Sequence, residues 1–209
     1  MGAHADMRAE CTLVAIGGGS ASGKTTVASK ISRLLGEERA VILEMDSYYK
    51  DLSHLSDEER AEVNFDHPQA LDLDLFKTHL KQLRSGKGID KPVYNFHTHK
   101  LEVRTISFEP KKYIIVEGLF VLLDILREEF HFSIYIDTPE EIRLNRRIER
   151  DTKERGRTKE VVLKQYELTV KPMHEAFVVP SVKNADLVIN WEKEDLGALE
   201  RIVKCIKAL

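Results

Sequence analysis

The sequence predicts an α/β fold, a mostly parallel five-stranded sheet flanked by helices, on two observations. First, five short apolar runs rich in β-branched residues, at about 13–16, 41–44, 113–116, 132–136 and 187–189, alternate with helix-like stretches. Strands separated by helical patterns imply βαβ crossovers, which run parallel and bury the sheet on both faces. Second, three of these runs end on residues suited to a site: a glycine-rich loop after the first, Asp46 after the second and Glu117-Gly118 after the third. In doubly wound sheets ligands bind beyond the carboxyl ends of the strands. Three strand ends thus deliver backbone donors and two carboxylates to one edge.

The elements justify themselves in order. Thr12-Leu13-Val14-Ala15-Ile16 leads into Gly17-Gly18-Gly19-Ser20-Ala21-Ser22-Gly23-Lys24-Thr25-Thr26, and from Gly18 this fits the P-loop pattern G-x-x-x-x-G-K-[ST]. Small residues let the backbone curl so that successive N–H groups cradle phosphate oxygens. In that pattern Lys24 reaches the β- and γ-phosphates, the Thr25 hydroxyl holds Mg²⁺, and the helix that follows aims its positive end at the anion. The fold expected is therefore of the P-loop NTPase type, and a nucleoside triphosphate is the expected ligand. Between the second and third runs lies a helical stretch over 74–84, a Ser85-Gly86-Lys87-Gly88 break, and two extended segments, 93–96 and 101–108, read as an inserted hairpin within about 90–110. The helix predicted from near Pro139 carries Arg143, Arg146, Arg147 and Arg150, which share one face at i, i+3, i+4 and i+7. Arg155-Gly156-Arg157 then breaks the helical pattern, as an arginine-rich lid over about 150–160 would.

Bulk properties set limits. A chain of 209 residues, 42% hydrophobic and 32% charged, suits one globular domain over 1–209 with a loose tail over 1–10. A net charge of −3 argues against nucleic-acid binding by bulk charge. No apolar run approaches a membrane span. Cys11 and Cys205 lie near opposite ends without metal-ligand spacing, so a reducing, cytoplasmic setting is expected.

Phosphoryl transfer requires a positioned acceptor, a metal bridging the β- and γ-phosphates, and cations around the transferred group. Asp46, in Glu44-Met45-Asp46-Ser47-Tyr48-Tyr49, is placed either to take a proton from an acceptor hydroxyl or to cap a turn. Glu117 closes Ile114-Ile115-Val116 as a Walker B acid would, or as a plain solvated strand end. The helix arginines either pair with Glu140, Glu141, Glu149 and Glu154 on a solvated face, or turn guanidinium forks toward phosphate.

With these residues in place, the sequence resembles the uridine–cytidine kinase family. The resemblance rests on the P-loop, Met45-Asp46-Ser47-Tyr48-Tyr49-Lys50, Asn64-Phe65-Asp66-His67-Pro68, Tyr94-Asn95-Phe96, Glu117-Gly118, Arg146-Arg147-Ile148-Glu149-Arg150-Asp151, Glu154-Arg155-Gly156-Arg157, Gln165-Tyr166 and Val170-Lys171-Pro172-Met173. It covers roughly residues 12–190. It implies phosphorylation of the 5′-hydroxyl of uridine and cytidine by ATP or GTP with Mg²⁺, in pyrimidine salvage, with Asp46 as base and a homotetrameric assembly. It further implies that Asp66 accepts hydrogen bonds from the ribose hydroxyls, while Tyr49, Phe65 and Phe96 pack around the nucleoside. Tyr94 and His99 would address the pyrimidine edge, and Arg147, Arg157 and Gln165 the nucleoside side. Arg150 and Arg155 would lean toward the donor phosphates. A histidine nitrogen donates or accepts according to tautomer, so His99 suits both uracil O4 and the cytosine amine. His97-Thr98-His99 also reads as two strand histidines or a metal pair, although no Cys or carboxylate stands at ligand spacing.

The chain departs from the family pattern at three places. Asn95 replaces the commoner Asp, Lys100-Leu101 follow His99 in place of a small hydroxyl residue and Arg, and Asn190-Trp191-Glu192-Lys193 replaces a Pro-Arg-Gly-like turn. The last loop lies near the donor base in this fold, which leaves ATP and GTP both open. Two other readings stay beside the first. One is a related kinase of another small alcohol, phosphoribulokinase-like or pantothenate kinase-like. The other is a GTP-dependent switch, although Glu192-Lys193-Glu194-Asp195 lacks the leading Asn of a guanine-reading motif and no Asp-x-x-Gly follows the third strand.

Overall fold

Side-chain alternation along the first strand divides the core into two layers. The computed structural model describes residues 11–96 and 98–209; the tail expected over 1–10, and His97 of the histidine pair, lie outside them. Strand β1 (Thr12–Gly18) sends Leu13 and Ala15 to one face of the sheet and Val14 and Ile16 to the other, all fully buried. It is followed by α1 (Lys24–Leu35) and β2 (Ala40–Glu44). A 3₁₀ turn, Met45–Tyr48, leads on to α2 (Asp57–Ala61), which opens on a Ser56/Glu59 capping box, and to α3 (Leu73–Arg84), capped by Asp72.

The hairpin pairs β3 (Ile89–Asn95) with β4 (Lys100–Phe108), antiparallel and apart from the main sheet. Its first strand begins at Ile89 rather than at Val93. The positive-φ turn at Gly86 ends α3 and lets Ile89 pair with Phe108 at once, while Pro92 is accommodated at a register shift between Pro92 and Tyr94.

The remaining elements are β5 (Tyr113–Glu117), β6 (Phe132–Asp137), α4 (Glu140–Glu154), α5 (Lys159–Gln165), α6 (Lys171–Met173), β7 (Leu187–Asn190) and α7 (Leu196–Lys207). Two π turns, Tyr166–Val170 and His174–Val178, flank α6. The five-stranded sheet has the order β2-β5-β1-β6-β7, and every pairing is parallel. Strand β5 is buried along its whole length, as its unbroken apolar run requires between two covering layers. On one face α1 and α7 contribute Val27, Ile31, Leu199 and Ile202; on the other α3 contributes Phe76, Leu80 and Leu83.

The expected α/β architecture, with its inserted hairpin, is the one observed. The β1/β5 and β1/β6 neighbours lie on either side of the point where chain order reverses, so the carboxyl ends of β1, β2 and β5 open onto one crevice.

Candidate active site

The crevice holds a cavity of about 350 Å³, and its floor is the loop between β1 and α1. Gly23, at φ +100°, caps α1 with no side-chain cap, which leaves the first-turn N–H groups free to receive an anion. A Cβ at Gly23 would stand 2.5 Å from Trp191 Cδ1, so the buried indole after β7 braces the loop from behind. Lys24 Nζ donates to the Gly19 carbonyl at 2.9 Å, lying along the loop. Thr25 Oγ1 donates to Glu117 Oε1 at 2.9 Å, which joins the first turn of α1 to the end of β5. A hydroxyl and a carboxylate in contact beside a phosphate cradle are the oxygen donors that a hard, octahedral Mg²⁺ takes together with phosphate and water, so these two residues fit the ion.

The second wall descends from β2. Asp46 is half-buried in the turn Met45–Tyr48 and lines the cavity; the cap position of that turn belongs to Glu44. Across from it Asp66 is buried in the tight turn that Asn64 closes by accepting the Asp66 N–H at 3.0 Å. Thr169 Oγ1 donates to Asp66 Oδ2 at 3.4 Å from the first π turn, a partner the sequence pattern does not announce. His99, at φ +52°, turns its ring back onto Phe65, stacked with centroids 4.3 Å apart. Tyr49 packs against Phe65, Tyr94 and Phe96, and its hydroxyl donates to the Phe65 carbonyl at 3.2 Å. The result is an aromatic slot with two carboxylates at its mouth.

The third wall is α4 and the segment beyond it. Arg147 Nη1 donates to Ser20 Oγ at 2.8 Å, and its Nη2 to Gln165 Oε1 at 3.3 Å. Arg157 Nη1 reaches the same Gln165 oxygen at 2.7 Å. Arg146, Arg150 and Arg155 also line the cavity. Arg146 Nη1 donates to the Ser22 carbonyl at 3.3 Å, and its Nη2 to the Trp191 and Glu192 carbonyls at 3.2 and 3.0 Å. Arg143, on the same helical stripe, does not reach the cavity: its Nε donates to the Thr138 carbonyl, behind the phosphate loop.

Burial and charge oppose each other at Lys24, Asp46, Glu117 and Asp66 and act together at His99. Burial lowers the Lys24 pKa, against the pull of Glu117 and Asp46. Burial raises Asp46, with Lys24, Arg155 and Arg150 acting the other way. Glu117 and Asp66 are raised for the same reason, countered first by Lys24 and by Arg147 respectively. His99 is held below its ordinary value by burial and by Arg157 and Arg155, which keeps its ring neutral. Burial pushes Tyr94 up to about 12, so its hydroxyl remains a donor.

Of the residues given individual site roles from the sequence, Gly18, Gly19 and Ser22 stay behind the cavity surface, and the others line it together. Gly18 closes against the Ile136 carbonyl, Gly19 against Arg143 and His174, and Ser22 is buried. Arg146, which the sequence placed on the arginine stripe without a role of its own, lines the cavity as well.

A phosphate-cradling loop whose lysine faces carboxylates at the ends of β5 and β2 defines a P-loop enzyme of the kinase class. Residues 13–196 match the sequence profile described as "Phosphoribulokinase / Uridine kinase family", and the chain belongs to that family. It is 49% identical over 201 residues to a uridine kinase of Staphylococcus epidermidis, covering 96% of this chain and 97% of that one. It is 47% identical over 189 residues to a uridine kinase of Cronobacter sakazakii, covering 88% and 89%. The phosphoribulokinase structure from Rhodobacter spheroides superposes with a TM-score of 0.66 at 16% identity, covering 87% of this chain and 70% of that one, and shares the fold.

Proposed function

We propose that this protein transfers the γ-phosphoryl group of ATP, with GTP as the alternative donor, to the 5′-hydroxyl of uridine and cytidine, a step of pyrimidine salvage. The observation that carries this reading is the joining of the two halves in one cavity: Lys24 and the P-loop on one side, Asp46, Asp66 and the Phe65–His99 stack on the other. The uridine kinase relatives support the acceptor.

In this reading Ser20, Ala21, Gly23, Thr25 and Thr26 present backbone N–H groups to the donor phosphates, Gly18, Gly19 and Ser22 shape the loop behind them, and Lys24 leaves the Gly19 carbonyl to meet the β- and γ-oxygens. Thr25 and Glu117 would hold Mg²⁺, which would supply positive charge to the donor phosphates. Asp46 accepts the 5′-hydroxyl proton as that oxygen attacks phosphorus in line. Its raised pKa makes it a stronger base than a free aspartate. Arg150 and Arg155 spread the transferring charge. Asp66 receives the ribose 2′- and 3′-hydroxyls, and Arg147, tied to Ser20 and 4.0 Å from Asp66, links donor loop to acceptor turn. Neutral His99 reads the base edge beside Tyr94, while Tyr49, Phe65 and Phe96 wall the ring. Arg157 and Gln165 close the nucleoside side.

Initial rates across uridine, cytidine, deoxycytidine and adenosine, with ATP and GTP as donors, test the reading. Turnover of both pyrimidine ribonucleosides and little of deoxycytidine or adenosine is the expected pattern. Silence on all four, beside turnover of a sugar phosphate or pantothenate, would transfer the assignment to another alcohol. A homotetramer, the assembly that the resemblance implies, is tested by light scattering.

A further inference from the structure

Asp151 takes no part in the steps above, yet it is wholly buried in the last turns of α4 and faces four guanidinium groups. Arg150 Nε donates to Oδ1 at 2.8 Å, and Arg155 Nη1 stands 3.5 Å from the same oxygen. Arg147 Nε and Arg157 Nη1 stand 3.6 and 3.8 Å from Oδ2. Neither Oδ2 nor Arg147 Nε makes a hydrogen bond, so that side of the carboxylate acts through charge alone. The local sequence explains the convergence. Arg147 and Arg155 lie one helical turn to either side of Asp151. Gly156, at φ +63°, then reverses the chain so that the Arg157 N–H donates to the Asp151 carbonyl at 3.1 Å.

Guanidinium groups held this close repel one another, strongly where water is scarce. Among the described residues, the only other carboxylate paired with any of the four is Asp66, at 4.0 Å from Arg147. Burial pushes the Asp151 pKa up, but the Arg150 hydrogen bond and the charges of Arg150, Arg147 and Arg155 outweigh it, leaving the group ionised. Arg150 and Arg155 line the cavity that holds Lys24. The cations that a polyphosphate would meet are therefore those that one buried carboxylate already gathers.

We infer that Asp151 is a positioning residue, the resident counter-ion of the lid. It keeps Arg150 and Arg155 fanned toward the phosphate loop in the empty enzyme, and it competes with phosphate for them once donor or product is bound. Asp151 thereby weakens nucleotide binding and raises turnover, because the arginines are already oriented and the product diphosphate is released sooner. The inference rests on the phosphotransfer reading of the site but not on the identity of the acceptor.

The test is isosteric Asp151→Asn, compared with Glu149→Gln. The second makes the same charge change on the exposed face, where Glu149 pairs with Lys153 at 2.6 Å. ADP and inorganic pyrophosphate binding are measured by calorimetry, and kcat with ATP and uridine. Asp151→Asn is expected to bind ADP about three- to tenfold more tightly while kcat falls about tenfold or more; Glu149→Gln should move each by less than about twofold. Unchanged ADP affinity, an equal gain in Glu149→Gln, or a joint loss of affinity, turnover and melting temperature would each overturn it. If Asp151→Asn does not fold, Arg157→Gln leaves the carboxylate one cation short and is expected to weaken ADP binding about threefold; no change there overturns the inference as well. A wild-type protein that does not turn over uridine counts against the acceptor alone, and the ADP measurements still decide the role of Asp151.

Discussion

Asp46 and Asp66 face the same cavity, and single substitutions separate the duties proposed for them. Asp46→Asn removes the proposed base while preserving shape, so turnover should fall about a hundredfold or more with ATP binding nearly intact; near-normal turnover would remove Asp46 from the mechanism. The same variant should melt higher than wild type at neutral pH. A carboxyl whose folded pKa is raised costs stability as pH rises from its unfolded value through the folded one, and asparagine lacks that cost. Asp66→Ala should raise KM for ribonucleosides far more than KM for ATP, since the ribose hydroxyls lose their acceptor; equal effects on both substrates would contradict ribose recognition. His99 shows why the residue scale matters. Its positive φ and its stack on Phe65 depend on how the hairpin turns, and neither follows from its position after Thr98.

At the scale of elements, the loop between β1 and α1 depends on a neighbour far along the chain. Gly23 combines a left-handed φ with the Trp191 indole where a Cβ would stand. Gly23→Ala should therefore lose at least about 2 kcal/mol of stability from backbone strain and overpacking, read by urea unfolding and by Trp191 fluorescence. Retention of wild-type stability would mean that the loop relaxes away from the indole. Helix α4 divides its arginines between two tasks. Arg146, Arg147 and Arg150 face the cavity, whereas Arg143 turns behind the loop to the Thr138 carbonyl. Periodicity set all four on one stripe, but a stripe is wide enough to touch two different surfaces, and packing against the P-loop chose between them. The π turns around α6 were not legible at all, because no residue pattern marks an extra backbone step. One of them carries Thr169 to Asp66.

For the molecule as a whole, pH should tune stability through His174, which packs against Gly19 among Arg143, Lys24 and Glu140. Burial, then Arg143 and Lys24, hold its pKa down to about 4, with Glu140 acting weakly the other way. A depressed histidine contributes stability above its unfolded value, near 6.5, and loses it as pH falls toward about 4. Thermal melts over that window should show wild type losing more stability than His174→Phe. Parallel curves would place the acid sensitivity elsewhere. The raised carboxylates Asp46, Asp66 and Glu117 act with opposite sign and are common to both proteins, so the difference between the two isolates the imidazole.

By itself the sequence determined the parallel sheet, the phosphate loop and the acids at two strand ends, because each is a local signal: an apolar run, a glycine spacing, a carboxylate just past a strand. It also marked the family through motifs kept in order along most of the chain. Only the tertiary structure decided which arginines reach the cavity, that Thr169 supports Asp66, that Trp191 braces Gly23, and that Asp151 gathers the lid cations. Those contacts join residues that are distant in sequence or share a helical face, and only packing and charge balance in three dimensions select among them.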